Sequence, residues 1–407
     1  MSSASPLSRR AQQMPASPIR RLAPFAVAAR RAGRTVYPLN IGQPDIPTPK
    51  AILDRLRAYG DANVPYGPSQ GLPEFVEALR AYYAGIGVPL AAEEIFVTTA
   101  GSEALLFTLG ALCDPGDQVL VFEPFYTNYN GFAAMMGVEP VPVTTRAEDG
   151  YHLPPRAAIE ARIGPRTRAI LICSPNNPTG TVYTDAEIDL LAALCRERGL
   201  MLVADEVYRE FVYDGRGHRS VLTLAGMEER VVVVDSVSKR YSLCGARIGN
   251  IVSRNREFMA AILRFGQARL CPPTVEQFAC TALTEVPASY IAGVIAEYQK
   301  RRDVVCDSLA AIPGVLVRRP EGAFYVCARL PVDDASAFAE WLLRDFALDG
   351  ATVMVAPADG FYATPGLGRD EVRIAYVLEE AKLRKAMACL AAALATYPGR
   401  LAAAAKA

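Results

Sequence analysis

The feature that most constrains the fold is a series of short, almost wholly apolar segments that recur through the middle of the chain. They have the length and residue types of buried strands, and they occupy residues 95–99, 118–122, 169–173, 201–204 and 231–236. Helical patterns accompany them at residues 102–112, 185–197 and 255–268. Apolar strands alternating with helices indicate an α/β fold with a parallel sheet covered on both faces. In such sheets functional groups gather beyond the carboxyl ends of the strands.

A different pattern begins after Pro287. A long helical pattern is followed by short strands and two more helices, near residues 288–312, 315–318, 323–329, 335–346 and 379–397. This order predicts a second, smaller α+β domain, and because no Gly/Ser-rich linker precedes it we expect the two domains to pack together. The predicted division is an N-terminal arm with the start of the small domain at 1–50, a large domain at 51–287, and a bridging helix with the small domain at 288–407.

The composition excludes several classes of protein. The 407 residues carry 43 Lys and Arg against 43 Asp and Glu, so no net positive charge favours nucleic acid or an anionic membrane. No apolar run approaches the roughly 18 residues that span a bilayer. The nine cysteines include no C-x-x-C pair and fit reduced thiols. The expectation is a cytoplasmic small-molecule enzyme with no nucleic-acid or membrane partner.

The first 34 residues contain seven arginines and no acidic residue. Such a segment is also typical of a mitochondrial transit peptide. The alternative is an arm whose arginines meet solvent or a partner subunit. Prolines at four positions argue against one long amphipathic helix here: Pro6, Pro15, Pro18 and Pro24.

One motif suggests another enzyme class and fails on its context. Residues 67–71 match the G-x-S-x-G pattern of hydrolases, but Pro65 and Pro68 do not allow the central strand that this motif needs. The only histidines in the sequence are His152 and His218. A Ser-His-Asp hydrolase and a zinc site are therefore both disfavoured.

The strand at 231–236 leads directly into a segment with distinctive chemistry. Ser236, Ser238 and Lys239 follow at its carboxyl end, and Arg247 comes eight residues after the lysine. Hydroxyls and an arginine can hold a phosphate, and a lysine beside a phosphate site suggests a Schiff base with pyridoxal phosphate. The alternative is a Ser-rich turn before a surface lysine.

Other strand ends supply groups that suit the same cofactor. Asp205 follows the strand at 201–204, where a carboxylate could pair with a pyridine nitrogen or simply cap a helix. Asn177 lies in a Pro/Gly-rich turn and could bind a phenolic oxygen, although the turn could also be an ordinary loop. Ser102 opens a helix whose N-terminus could bind an anion or serve as an N-cap. Tyr126 could stack on a flat ring or belong to the core.

Taken together, these motifs resemble the class I/II aminotransferases of the pyridoxal-phosphate fold type I. The resemblance covers about residues 7–400. It is carried by Ser-x-Ser-Lys at 236–239 with Arg247, Asn-Pro-Thr-Gly at 177–180, Asp-x-x-Tyr at 205–208, Gly-Ala-Phe-Tyr at 322–325 and Val-Arg-Ile-Ala-Tyr at 372–376. It implies an α/β large domain with a mostly parallel seven-stranded sheet that binds the cofactor, plus a smaller α+β domain.

The resemblance also implies roles for individual residues. Lys239 would form the Schiff base and then act as the general base, and Asp205 would pair with the pyridinium nitrogen. Tyr208 and Asn177 would hold the phenolic oxygen, with Tyr126 stacked on the ring. The phosphate ligands would be Gly101, Ser102, Glu103, Ser236, Ser238, Arg247 and, in a homodimer with shared active sites, Tyr66 of the partner subunit. The substrate α-carboxylate would meet Gly42, Asn177 and Arg373.

The amino donor is the least defined part of this interpretation. The overall pattern resembles bacterial aspartate aminotransferases, which favours aspartate as donor and a 2-oxo acid such as 2-oxoglutarate as acceptor. However, Ser102 stands where one aspartate-specific subgroup has a lysine, and residues 357–362 depart from a common Pro-Gly-x-x-Phe-Gly lid motif. Arg269 is the predicted receptor of a distal carboxylate, its alternative being a solvated or phosphate-supporting arginine. Aromatic or other neutral donors, or a lyase on the same scaffold, remain the alternatives.

Overall fold

The computed structural model describes residues 6–15, 17 and 19–402. The helices in these residues are α1 (Arg9–Gln13), α2 (Ala23–Arg31), α3 (Lys50–Arg57), α4 (Pro73–Gly85), α5 (Ala100–Leu112), α6 (Asn128–Met136), α7 (Arg156–Glu160), α8 (Asp185–Arg198), α9 (Val237–Arg240), α10 (Arg256–Arg269), α11 (Thr274–Cys280), α12 (Ala288–Ala310), α13 (Ala335–Arg344) and α14 (Glu380–Thr396). The strands are β1 (Thr35–Pro38), β2 (Ile95–Thr99), β3 (Gln118–Glu123), β4 (Glu139–Thr144), β5 (Thr167–Cys173), β6 (Met201–Asp205), β7 (Val231–Ser236), β8 (Ile248–Val252), β9 (Leu316–Val317), β10 (Tyr325–Arg329), β11 (Ala351–Met354), β12 (Ala356–Pro357) and β13 (Glu371–Ala375).

A seven-stranded sheet forms the centre of the large part of the molecule. Its strand order is β2-β8-β7-β6-β5-β3-β4. Strand β8 runs antiparallel to both of its neighbours, and the other pairs are parallel. The predicted mostly parallel seven-stranded sheet is confirmed. The carboxyl ends of β2, β3, β5, β6 and β7 therefore meet at one edge of the sheet.

Both faces of this sheet are buried, as the apolar strands predict. Along β7, Val231 and Val233 belong to one apolar cluster, whereas Val232 and Val234 belong to another on the opposite face. Successive side chains of a strand point to opposite faces, so a strand buried on both sides must be apolar at every position. The exceptions within β7 are its last two residues, Asp235 and Ser236, which are both buried.

The smaller part is built on a four-stranded antiparallel sheet, β12-β13-β10-β9, and on the parallel pair β1-β11. Leu22, Ala26 and Ala29 from the N-terminal segment share an apolar cluster with α12, α13 and α14. This packing supports the division at 1–50, 51–287 and 288–407, which stays a proposal. Residues 1–5, 16, 18 and 403–407 of that division lie outside the described residues.

The chain also contains features that the sequence patterns did not indicate. Strand β4 includes Pro140 and Pro142, and it lies at an edge of the sheet, where missing N–H groups break no ladder.

In the described residues no single helix is long and apolar enough to cross a membrane. The segments Thr274–Glu285 and Ala288–Ala310 are together long and apolar enough, but the chain bends by 94° between them.

Candidate active site

A cavity of about 480 Å³ lies at the sheet edge where the parallel strands end. One side, here called the strand-end wall, consists of residues at or next to the ends of strands of the large sheet: Gly101, Ser102, Tyr126, Asn177, Asp205, Tyr208, Ser236, Ser238, Lys239 and Arg247. The other side, the opposite wall, comes from the N-terminal segment and the smaller part: Arg20, Arg30, Asn40, Gly42, Tyr325 and Arg373. The cavity therefore brings together most of the residues that the sequence pointed to.

Lys239 enters the cavity from the short helix α9, which follows β7 directly. Ser236 caps this helix, because its hydroxyl accepts a hydrogen bond from the Ser238 N–H at 3.1 Å. The lysine Nζ donates to the Gly42 carbonyl oxygen at 2.9 Å and lies 3.8 Å from the Cys244 Sγ. Among the described lysines, Lys239 is the one that lines this cavity.

Asp205 is buried at the end of β6. The Tyr129 hydroxyl donates to its Oδ2 at 2.9 Å, and the Val207 N–H donates to its Oδ1 at 3.3 Å. Burial raises the pKa of Asp205 to about 6, although these two hydrogen bonds act in the opposite direction. No cationic side chain in the described part of the chain forms an ion pair with this carboxyl. The site therefore stabilises the ionised form poorly unless a cation from outside the chain joins it.

Arg373 lies across the cavity on β13 and is almost fully buried. Its guanidinium donates to the Asn177 Oδ1 at 2.9 Å and to the Asn40 carbonyl at 2.5 Å. The same group lies over the rings of Tyr325 and Phe361, at 4.6 and 4.9 Å from their centroids. These partners are all neutral, so the positive charge of Arg373 has no counter-ion from the described residues in this site.

Two buried polar atoms in the same region have no hydrogen-bond partner among the described residues. They are the Nε of Arg373 and the Oδ1 of Asn40. Buried polar groups are nearly always satisfied, so unsatisfied ones in a cavity mark positions where a ligand is expected to bind. A donor on an arginine is suited to a carboxylate.

Gly42 is sterically required on the opposite wall. A Cβ at this position would lie 1.8 Å from the Tyr325 hydroxyl oxygen. That hydroxyl in turn lies 2.9 Å from the hydroxyl of Tyr208. The glycine thus allows the chain to approach the pair of phenols closely.

The groups expected to bind an anion cluster around the N-terminus of α5. The hydroxyl oxygens of Ser236 and Ser238 are 2.6 Å apart. Arg247, which has a positive φ of 58°, donates to the Cys244 carbonyl at 2.9 Å and lines the same cavity. Hydroxyls, an arginine and the free N–H groups of a helix start form a suitable environment for a phosphate.

Three predicted site residues are not among those that line the cavity. The Glu103 carboxylate accepts the Thr99 N–H at 2.8 Å and pairs with Arg269 at 3.2 Å. Arg269 also donates to the carbonyls of Ser69 and Val97, at 3.2 and 3.3 Å. Tyr66 is 81% exposed. These partners fit the alternative interpretation of Arg269 as an arginine that supports the phosphate region. They do not fit the interpretation of Arg269 as the receptor of a substrate carboxylate.

Several residues in or next to the cavity were not singled out from the sequence. Tyr129 orients Asp205, and the only available signal was its position three residues after Tyr126. Arg20 and Arg30 line the cavity, whereas the sequence left the N-terminal arginines to solvent or a partner subunit. Asn40 adds the unsatisfied oxygen described above. A residue that acts from a neighbouring helix or from the far end of the chain leaves no local pattern.

Comparison with known proteins assigns the family. Residues 34–390 match the family described as Aminotransferase class I and II. The chain belongs to this family. Its members are pyridoxal-phosphate enzymes of fold type I, and this chain is an aminotransferase by the same assignment.

Individual relatives cover nearly the whole chain. A probable aspartate/prephenate aminotransferase of Thermus aquaticus is 34% identical, covering 95% of this chain and 99% of that protein. An arginine–pyruvate transaminase of Pseudomonas aeruginosa is 32% identical, covering 92% and 94%. The structure of aspartate aminotransferase from Thermus thermophilus with maleate has a TM-score of 0.87 at 32% identity, covering 96% of this chain and all of that one.

Proposed function

We propose that this aminotransferase binds pyridoxal 5'-phosphate at Lys239 and moves the amino group of an L-amino acid, with aspartate favoured, to a 2-oxo acid such as 2-oxoglutarate. The observation that carries the proposal is the joint placement of Lys239, Asp205 and Arg373 around one cavity. The amine of Lys239 is needed to attach the cofactor, and the buried acid of Asp205 is needed to keep its ring nitrogen protonated. The guanidinium of Arg373, which has no counter-ion, is needed to bind the substrate carboxylate.

The residues present fit the proposed cofactor. Asp205 is a buried carboxyl without a cation, and a protonated pyridine nitrogen would supply one. Ser236, Ser238 and Arg247 cluster with the N-terminus of α5, where a phosphate would bind. Tyr126 provides an aromatic face for the ring, and Tyr208 and Asn177 provide polar groups for the phenolic oxygen. When bound, pyridoxal phosphate supplies an electron sink for the electrons released at the substrate Cα.

The chain itself would supply proton transfer and orientation. Lys239, once its amine is free, would take the proton from the substrate Cα and return it to the carbon on the other side of the amino nitrogen, two bonds away. Arg373 binds the substrate α-carboxylate, using the Nε that is otherwise unpaired, with Asn177 and Gly42 beside it. Fixing the carboxylate fixes the direction of the breaking Cα–H bond. Burial of these groups keeps water away from the reacting atoms.

The charge of the opposite wall supports a dicarboxylic donor. Arg20 and Arg30 line the cavity from the N-terminal segment, and neither has an acidic partner among the described residues. Either guanidinium could receive the side-chain carboxylate of aspartate or glutamate. Because one relative is named as an arginine–pyruvate transaminase, a neutral or basic donor is the competing outcome.

Attachment at Lys239 can be tested on the protein with its cofactor. The sequence has six lysines, so borohydride reduction followed by peptide mapping gives a clear answer. Label on Lys239 is expected, and label on another lysine would contradict the assignment. A donor screen against 2-oxoglutarate then tests the substrate, since a lyase would release ammonia or carbon dioxide without forming glutamate.

The proposed active unit is a homodimer in the cytoplasm. Tyr66, Val64 and Leu270 are all large exposed apolar residues, which favours burial against a second copy. Tyr66 of the partner subunit would then complete the phosphate site. All nine cysteines are unpaired, which supports a reducing compartment. Sedimentation at assay concentration tests the dimer, and a fully active monomer would refute it.

A further inference from the structure

Four pairs of consecutive residues each contribute one residue to the cavity and one to a buried charged network behind it. The pairs are Asp205 with Glu206, Tyr208 with Arg209, Ser236 with Asp235, and Lys239 with Arg240. The buried charged network consists of Glu206, Arg209, Glu210, Asp235 and Arg240. Every residue of the network is therefore on the same short segments as the cavity residues.

Asp235 is the centre of this network. One guanidinium nitrogen of Arg240 lies 2.6 Å from both of its carboxylate oxygens, and Arg240 Nε lies 3.1 Å from Glu210. Arg209 lies 3.3 Å from Asp235 and 2.9 Å from Glu206. Asp235 thus connects α9, through Arg240, with the segment after β6, through Arg209.

Neutral groups from other elements complete the network. The Tyr83 hydroxyl on α4 donates to Asp235 at 3.2 Å and accepts from Asn250 on β8 at 2.9 Å. The Ser220 hydroxyl and the Val221 N–H donate to Glu206 at 3.0 and 2.9 Å. The network is held from several directions, so none of its members can move far alone.

Stability alone does not account for these charges. The side chains of Asp235, Arg240 and Glu206 are at most 1% exposed, and that of Arg209 is 4% exposed. Taking charges out of water is costly, and apolar residues of similar volume often give an equally stable or more stable core. Burial acts to raise the pKa of Asp235, but Arg240 and Arg209 hold it below its ordinary value, so the pairing stays ionic.

We infer that the buried charged network positions Lys239 and Asp205 relative to each other for catalysis. This inference rests on the proposed roles of those two residues. Helix α9 has four residues, too few to be stable alone, and the pairing of Arg240 with Asp235 fixes it to the strand that it follows. Glu206 and Arg209 fix the chain next to Asp205 to the same carboxylate. The network members are positioning residues, since none of them lines the cavity.

The test compares Arg240→Lys and Arg240→Met with a matched control, Arg302→Met. Arg302 is another buried arginine, paired with Asp214 at 2.6 Å, and it does not line the cavity. For the Arg240 variants we expect kcat to fall at least about tenfold, with the donor KM nearly unchanged, because small misplacement of a catalytic group is costly. The pH midpoint of the absorbance change of bound pyridoxal phosphate should also shift, with Arg240→Lys between Arg240→Met and the wild type.

The control separates positioning from simple loss of stability. Arg302→Met should lower Tm while kcat and the absorbance midpoint stay at their wild-type values. If folded Arg240 variants also lose only Tm, the inference is wrong.

A milder variant covers the case in which the Arg240 variants do not fold. Tyr83→Phe removes the hydrogen bond to Asp235 and the one accepted from Asn250, and it buries no new charge. It should lower kcat about two- to fivefold and shift the midpoint in the same direction. Unchanged values for Tyr83→Phe would overturn the inference. Failure of the proposed function looks different, because the wild-type protein would then carry no label at Lys239.

Discussion

The two walls of the cavity differ in how their polar groups are held. On the strand-end wall, Asp205, Ser236 and Lys239 lie at or just beyond the ends of strands of one sheet and have hydrogen-bond partners nearby. On the opposite wall, Arg373 and Asn40 come from distant parts of the chain and retain unpaired atoms. A cofactor remains in place through many turnovers, whereas substrates exchange. The strand-end wall is therefore suited to the permanent group, and the opposite wall leaves its polar atoms free for groups that come and go.

The comparison predicts two kinds of variant. A change on the strand-end wall should reduce turnover equally with every amino donor, because all donors use the same cofactor. A change on the opposite wall should affect binding of the donor, and near the side chain of the donor it should discriminate between donors.

The largest effect is expected for Lys239→Ala. Loss of the attachment point and of the proton-transferring amine should lower kcat by more than about 10³-fold with aspartate and with alanine alike. Pyridoxal phosphate should still bind in part through the phosphate groups, as shown by its absorbance after gel filtration. Lys300→Ala is the control, since Lys300 is an exposed lysine paired with Glu380. Substantial turnover by Lys239→Ala would break the comparison at its main point.

Asp205→Asn should lower kcat about 10²-fold with both donors, because an amide stabilises a protonated ring nitrogen poorly. In the cofactor-free protein, by contrast, the same substitution should raise the free energy of unfolding. Burial raises the pKa of Asp205 from 3.8 to about 6, so the ionised carboxyl destabilises the fold progressively as the pH rises between these values.

The shift of the Asp205 pKa converts into a stability difference of about 3 kcal/mol at most. Urea unfolding of the cofactor-free Asp205→Asn variant should therefore give a higher free energy of unfolding at pH 7.5, and the gain should vanish below pH 4. Asp235→Asn is the contrasting variant. Its pKa is lowered by Arg240 and Arg209 against the effect of burial, so loss of its charge should destabilise the protein at pH 7.5. Equal signs for the two variants would contradict this account.

Arg373→Lys should weaken the binding of every amino donor by a similar factor, because all amino acids carry the α-carboxylate. A lysine cannot reproduce the planar contacts with Asn177 and the Asn40 carbonyl. We expect KM to rise and kcat/KM to fall about 30-fold, which corresponds to about 2 kcal/mol. Steady-state kinetics with aspartate and alanine measure this. A fall in kcat alone would place Arg373 with the cofactor instead.

The smallest effect should be the most selective. At least one of the variants Arg20→Gln and Arg30→Gln should lower kcat/KM for aspartate and glutamate about tenfold. The kcat/KM for alanine should change less than about twofold. Arg269→Ala is the comparison variant, because its pairing with Glu103 supports the start of α5. Arg269→Ala should lower kcat/KM by the same factor for all donors. If Arg269→Ala proves selective and both glutamine variants do not, the predicted role of Arg269 as receptor of a distal carboxylate is restored.

The strand-end wall could be predicted from the sequence because its signals are local. Asp205 and Lys239 each follow an apolar strand directly, and parallel strands bring such positions to one edge. Arg373 was found through a family motif, since nothing in its own segment points to residue 40. The buried charged network left no signal in the sequence. Arginine is usually a surface residue, so Arg240 gave no sign of burial, and its partner Asp235 only marks the end of an apolar run. Pairing across distant elements is a property of the packed chain.

The pairing of β1 with β11 has a consequence for the order in which the protein can form. Thr35 lies opposite Ala351, so β1 leaves the ribosome long before its partner has been synthesised. Strands β2 to β8 are complete at residue 252, which allows the large sheet to assemble earlier. The hydrogen bond from Arg373 to the Asn40 carbonyl can form only after that. A nascent chain that stalls before residue 373 would therefore hold the groups for the cofactor but lack the arginine for the substrate carboxylate.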